Sequence, residues 1–70
     1  MKREDIDLIQ RWLYYDQLSE QDVHHRIIEY RLQNFDVSAA IKIAKLQKQY
    51  EQGHLSLEKL QEVYKQYQVK

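Results

Sequence analysis

The chain has 70 residues, no cysteine, no proline and one glycine, and its 11 basic and 11 acidic residues cancel. That length allows one domain, and a domain this small buries only about 60% of its unfolded surface, without disulfides or thiolate-bound metal to help. Zero net charge argues against a general binder of nucleic acid or membrane surface. The absence of a long apolar run argues against a transmembrane helix or signal core.

The elements are expected as four helices, with no strand alternation. The first spans 4–16. Ile6, Ile9 and Leu13 recur at helical spacing, with Leu8, Trp12 and Tyr15 as a second stripe beside them. Asp5 and Asp7 suit its N-terminus. The second spans 19–33, with Ser19 as N-cap, Val23, Ile27 and Tyr30 on one stripe, and Ile28 and Leu32 on another. "NFDVS", Asn34 to Ser38, breaks the pattern and offers Asp36 or Ser38 as the next cap. The third helix spans 37–52. Its apolar arc, from Leu46 through Ile43 and Ala44 to Ile41, is the widest, so it should be the most buried. Gly53 should end it in the left-handed conformation that glycine tolerates. The fourth helix, 56–68, is capped by Ser56. Its single stripe, Leu57, Leu60, Tyr64 and Tyr67, suits an outer layer.

The stretches "YYDQLSEQDV" and "YEQGHLSLEKL" have one grammar: a helix end, a leucine, a serine cap and a second helix. Aligning Leu18-Ser19 with Leu55-Ser56 sets Val23 over Leu60, Ile27 over Tyr64 and Tyr30 over Tyr67. The expected fold is therefore all-α: two tandem helical hairpins, 4–33 and 37–68, in one compact bundle. Leu46, Gly53, Leu55, Ser56, Glu58 and Leu60 follow a leucine and then "G-x-I/L-T/S-x-E" and an apolar residue. Through them residues 43–67 resemble the SHOCT family of short C-terminal helical hairpins. The resemblance departs at Tyr64 and Tyr67, where that family more often has Lys and Leu. It implies an interaction or oligomerisation role and carries no active site.

No catalytic chemistry is legible. Ser19, Ser38 and Ser56 all sit at helix starts, and no threonine, cysteine or glycine-rich phosphate loop accompanies them. His25 and Glu29 share a helical face, but His24 points elsewhere and His54 lies in a turn, so the four ligands of a structural zinc site are not assembled. No catalytic residue, metal, cofactor or small-molecule substrate is expected.

The two stripes on each of the first two helices exceed what one neighbour covers. They predict an interface with Trp12 at its centre and Leu8, Tyr15, Ile28 and Leu32 around it, made with a second copy or another protein. The alternative is a helix-turn-helix-like DNA-binding regulator. Its third helix carries no acid between Asp36 and Glu51 and presents Ser38, Lys42, Lys45 and Gln49. Bulky Leu32 at the turn counts against it. A cytoplasmic protein is the default.

Overall fold

In the computed structural model, residues 1–30 and 36–70 are described. They form four helices: α1 (Arg3–Tyr14), α2 (Glu20–Glu29), α3 (Val37–Glu51) and α4 (Leu57–Gln66). No strand occurs among the described residues, so the fold is all-α. Each expected helix is present within about two residues of its predicted ends, except at the end of the second. There the helix closes at Glu29, with Tyr30 as C-cap at φ −80°, ψ 0°. The expected continuation to Gln33 falls outside the described residues.

The caps follow local chemistry. Ser19 Oγ accepts from the Asp22 N–H at 3.1 Å, and Ser56 Oγ accepts from the Lys59 N–H at 3.2 Å. Of the two candidates for α3, Asp36 is the cap, accepting from the Ala39 N–H at 3.1 Å. Each satisfies a first-turn amide that has no partner within its helix.

Gly53 closes α3 at φ 79°. Its N–H donates to the Tyr50 carbonyl and the His54 N–H to the Gln49 carbonyl, the paired bonds of a Schellman motif. Gln68 closes α4 the same way at φ 55°, with Gln68 N–H donating to Lys65 and Val69 N–H to Tyr64. Gln17, at φ 54°, turns the chain after α1, where Leu18 N–H donates to the Trp12 carbonyl. The two repeats thus share their serine caps but not their turns. The left-handed residue stands next to Leu18 in the first and one residue before His54-Leu55 in the second.

The core joins Ile6, Ile9 and Trp12 of α1, Val23 and Ile27 of α2, and Ala40, Ile41, Ile43 and Ala44 of α3. Each fully buried Ile contributes roughly 1.5–3 kcal/mol of transfer free energy. Ala40 and Ala44 are small and fully buried, which lets a neighbouring helix approach α3 closely. The most extensive packing is α1 on α3; α1–α2, α3–α4 and α2–α3 are lesser contacts. α1 packs on α2 and α3 on α4, but the joint between α1 and α3 is larger than either. α3 is the most buried helix, and α4 lies outermost, packed on α3 through fully buried Leu60. The chain ends meet: Arg3 N–H donates to the Lys70 carbonyl and Lys70 N–H to that of Met1.

Candidate functional site

The predicted interface residues do not share one environment. Trp12 is only 4% exposed. Its ring lies 5.5 Å from that of Tyr30, tilted by 36°, with the Arg26 guanidinium 5.7 Å from its centroid. Arg26 is held there in part by Asp16, 3.8 Å away. Trp12 is therefore a core residue roofed by α2, and its expected place at the centre of an exposed interface is corrected. The reason is spacing: Trp12 follows Ile9 by three residues and so lies at the edge of the Ile6–Ile9 stripe, within reach of α2. Leu8 is half-buried against the core. Tyr15 and Ile28 are 78% and 70% exposed, and Tyr30, over Trp12, is 62% exposed. Leu32 lies outside the described residues.

The four residues of the DNA-binding alternative do come together. Ser38, Lys42, Lys45 and Gln49, all exposed, run along one side of α3 and line a groove of about 340 Å³ against Glu20 and His24 of α2. Ile41 and Leu46 supply its apolar lining. Lys45 is paired with Glu20 across it, so half of its lysine charge already faces a carboxylate.

A second feature was not foreseen. Gln10 and Gln47 are buried in the layer between α1 and α3. Tyr64 Oη donates to Gln47 Oε1 at 2.5 Å, Gln47 Nε2 to Gln10 Oε1 at 2.5 Å, and Gln10 Nε2 to Glu51 Oε2 at 2.8 Å. Gln47 Nε2 also donates to Asp7 Oδ1 at 2.7 Å. A carboxylate only accepts, so Asp7 and Glu51 fix which way both amides point. No buried side-chain polar atom among the described residues lacks a partner. Burial raises the Tyr64 pKa, with Asp7, Glu51 and Tyr50 adding to the rise and Arg3, 5.3 Å from the ring centroid, opposing it. One signal in the sequence marks this network. Gln10 stands four residues after Ile6, and Gln47 three after Ala44, so both occupy positions on apolar stripes.

Arg3, Asp7, Gln10, Arg11, Tyr15, Gln47, Tyr50 and Glu51 border an open cleft above the network. Its buried amides are engaged by one another and by Asp7, Glu51 and Tyr64. Among the described residues, no group of three or more His, Asp or Glu side chains is placed to hold a metal. None of the described helices is long and apolar enough to cross a membrane. Compared with protein-family models, curated proteins and solved structures, the chain matches none.

Proposed function

We propose that the chain is a small, non-enzymatic, cytoplasmic module for protein–protein interaction or oligomerisation, with a regulatory or structural role. The observation that carries this reading is the exposure of Tyr15, Ile28 and Tyr30 beside a core that buries Ile6, Ile9, Val23 and Ile27. A monomer gains little from an exposed Ile, whereas a partner that covers it gains its transfer free energy. Tyr adds apolar area with a polar tip, which suits a surface alternately wet and covered. The resemblance of residues 43–67 to an interaction hairpin agrees with this reading.

The alternative of a DNA-binding regulator draws support from the alignment of Ser38, Lys42, Lys45 and Gln49 on one groove. Glu20 on the opposite wall and the zero net charge weigh against it. The test is sedimentation and partner capture with the wild type and with Tyr15→Ser/Ile28→Asp, alongside retention on heparin over a range of salt. The module reading expects assembly or capture that the double variant loses while keeping its helicity, and weak heparin retention. A chain that stays monomeric, captures nothing, and elutes from heparin with a steep salt dependence belongs to the alternative.

A further inference from the structure

We infer that residues 68–70 are a releasable clasp, which caps α1 from the other end of the chain and opens without unfolding the rest. Ser19, Asp36 and Ser56 each serve a first-turn amide of α2, α3 and α4. Lys2, at the same place before α1, makes no side-chain cap bond among the described residues. The Arg3 N–H, one of the amides that a helix start leaves without an internal partner, donates instead to the Lys70 carbonyl at 2.9 Å. The Lys70 N–H donates in turn to the Met1 carbonyl, also at 2.9 Å. These two bonds flank Lys2 as the bonds of one parallel β rung flank a strand residue, and Lys2 has the extended backbone that this needs, φ −95°, ψ 141°.

The clasp closes against backbone strain. α4 ends at Gln66, and the chain turns back through Gln68 at φ 55°, where the Val69 N–H donates to the Tyr64 carbonyl at 2.8 Å. The β-carbon of a glutamine disfavours that left-handed conformation. Opposing it are the two bonds to Met1 and Arg3, made by exposed Arg3 and Lys70, and the half-buried Val69 side chain, which with Met1 packs on the edge of the core. Hydrogen bonds open to water contribute little net stability, so the closed state is only modestly favoured.

The rest of the fold is fastened elsewhere. Among the described helices, α1 packs closely on α3 and α3 on α4, whereas α1 and α4 do not pack closely on each other. Fully buried Ile6, Ile9, Ile43 and Leu60 hold the core without residues 68–70. The start of α1 is joined to the end of α4 by the clasp and by the Arg3 guanidinium, 5.3 Å from the Tyr64 ring centroid. Opening therefore frees the Arg3 N–H and the Met1 carbonyl, frays the first turn of α1, and uncovers the apolar side chains of Met1 and Val69. The coupling is reciprocal: whatever loosens the first turn of α1 loosens residue 70, and the reverse.

The experiment is residue-resolved amide hydrogen exchange on the full chain, with Ile43 as the reference for global unfolding. In the wild type, Arg3, Val69 and Lys70 should share one protection factor, lower than that of Ile43 and almost insensitive to low urea, the mark of a local opening. Arg3→Pro deletes one donor of the clasp at the first helical position, where proline is tolerated, and extended Lys2 already suits the residue before a proline. It should speed Lys70 exchange roughly three- to tenfold beyond Arg3→Ala, which removes only the side chain, because that is the net worth of one hydrogen bond. Gln68→Gly should slow exchange at both Arg3 and Lys70, because it relieves the strain of closure. Wild-type Arg3 and Lys70 amides without protection would show that no clasp forms. Amides at Arg3 and Lys70 that exchange with the protection and urea dependence of Ile43 would show that residues 68–70 open only with the whole fold. Equal Lys70 exchange in Arg3→Pro and Arg3→Ala would show that the two ends are not coupled, and any of these three results overturns the inference.

Discussion

The Gln47 side chain donates to the Gln10 side-chain carbonyl oxygen at 2.5 Å between two helices whose other buried residues are apolar. That bond sits in a directed chain from Tyr64 to Glu51, with a branch to Asp7. It ties α1, α3 and α4 in one register, because sliding any of them separates groups that have no other buried partner. Gln47→Leu should destabilise the chain by about 1–3 kcal/mol, the cost of leaving the Gln10 carbonyl and the Tyr64 hydroxyl unpaired. Gln10→Leu with Gln47→Leu should cost less than the two single changes summed, since an apolar pair leaves fewer orphaned groups. Urea denaturation of the four proteins measures the coupling, and simple additivity would show that the network does not act as a unit.

Stability should fall in alkali through Tyr64. The phenol's pKa is raised in the folded chain above its ordinary 10.0, chiefly by burial. The folded state thus keeps a proton that the unfolded chain releases as pH passes 10. The stabilisation is whole below that pH and is lost as pH rises through the folded value. Tyr64→Phe should remove this contribution to the slope while costing about 0.5–1.5 kcal/mol at neutral pH for the lost hydrogen bond. Melting curves from pH 8 to 11 decide it; equal slopes for both proteins would contradict the assignment.

Among the described residues, three turns place a residue in the left-handed region, and only one of these uses glycine. A β-carbon on Gly53 would meet nothing within 4 Å, so the penalty of Gly53→Val is conformational rather than steric, about 1–2 kcal/mol. Conversely, Gln17→Gly and Gln68→Gly should each stabilise by up to about 1 kcal/mol, because glycine removes the Cβ strain there. Thermal denaturation of the three variants should show opposite signs for the glycine removed and the glycines added.

The caps give a fourth expectation. Ser19→Ala, Asp36→Ala and Ser56→Ala should each cost about 0.5–2 kcal/mol, because each leaves a first-turn amide without its acceptor. Asp36→Asn should retain most of the stability, since the amide oxygen still accepts. A fully neutral Ser56→Ala in chemical denaturation would mean that water serves the Lys59 N–H equally well.

Local chemistry made the helices legible. Ser19, Ser56 and Gly53 mark their boundaries through bonds made within a few residues, and periodicity of 3.6 set the faces that bury Ile6, Ile9, Val23, Ile27 and Leu60. Features that depend on which helix crosses which were harder to read. Trp12 lies at the border between two stripes, and only the path of α2, which carries Arg26 and ends at Tyr30, decides that it is covered. Gln10 and Gln47 look like polar interruptions of apolar stripes until α1 and α3 are seen to meet there. The left-handed turns at Gln17 and Gln68 have no composition signal, because glutamine is not a residue that such turns select. For the groove, the sequence placed Ser38, Lys42, Lys45 and Gln49 on one face but not Glu20 opposite them, because that pairing is 25 residues distant along the chain.

The proposed engagement of protein by exposed Tyr15 and Ile28, near the ends of α1 and α2, is open to a direct test. Its most direct measurement is sedimentation equilibrium of the wild type from micromolar to millimolar concentration, repeated with Ile28→Asp, together with Trp12 fluorescence. The expected result is concentration-dependent assembly that Ile28→Asp abolishes, with Trp12 emission blue-shifted and unchanged in both proteins, because the ring is buried before any partner arrives. A wild type and a variant that assemble equally, or Trp12 emission that shifts to the blue only as the protein is concentrated, would contradict it.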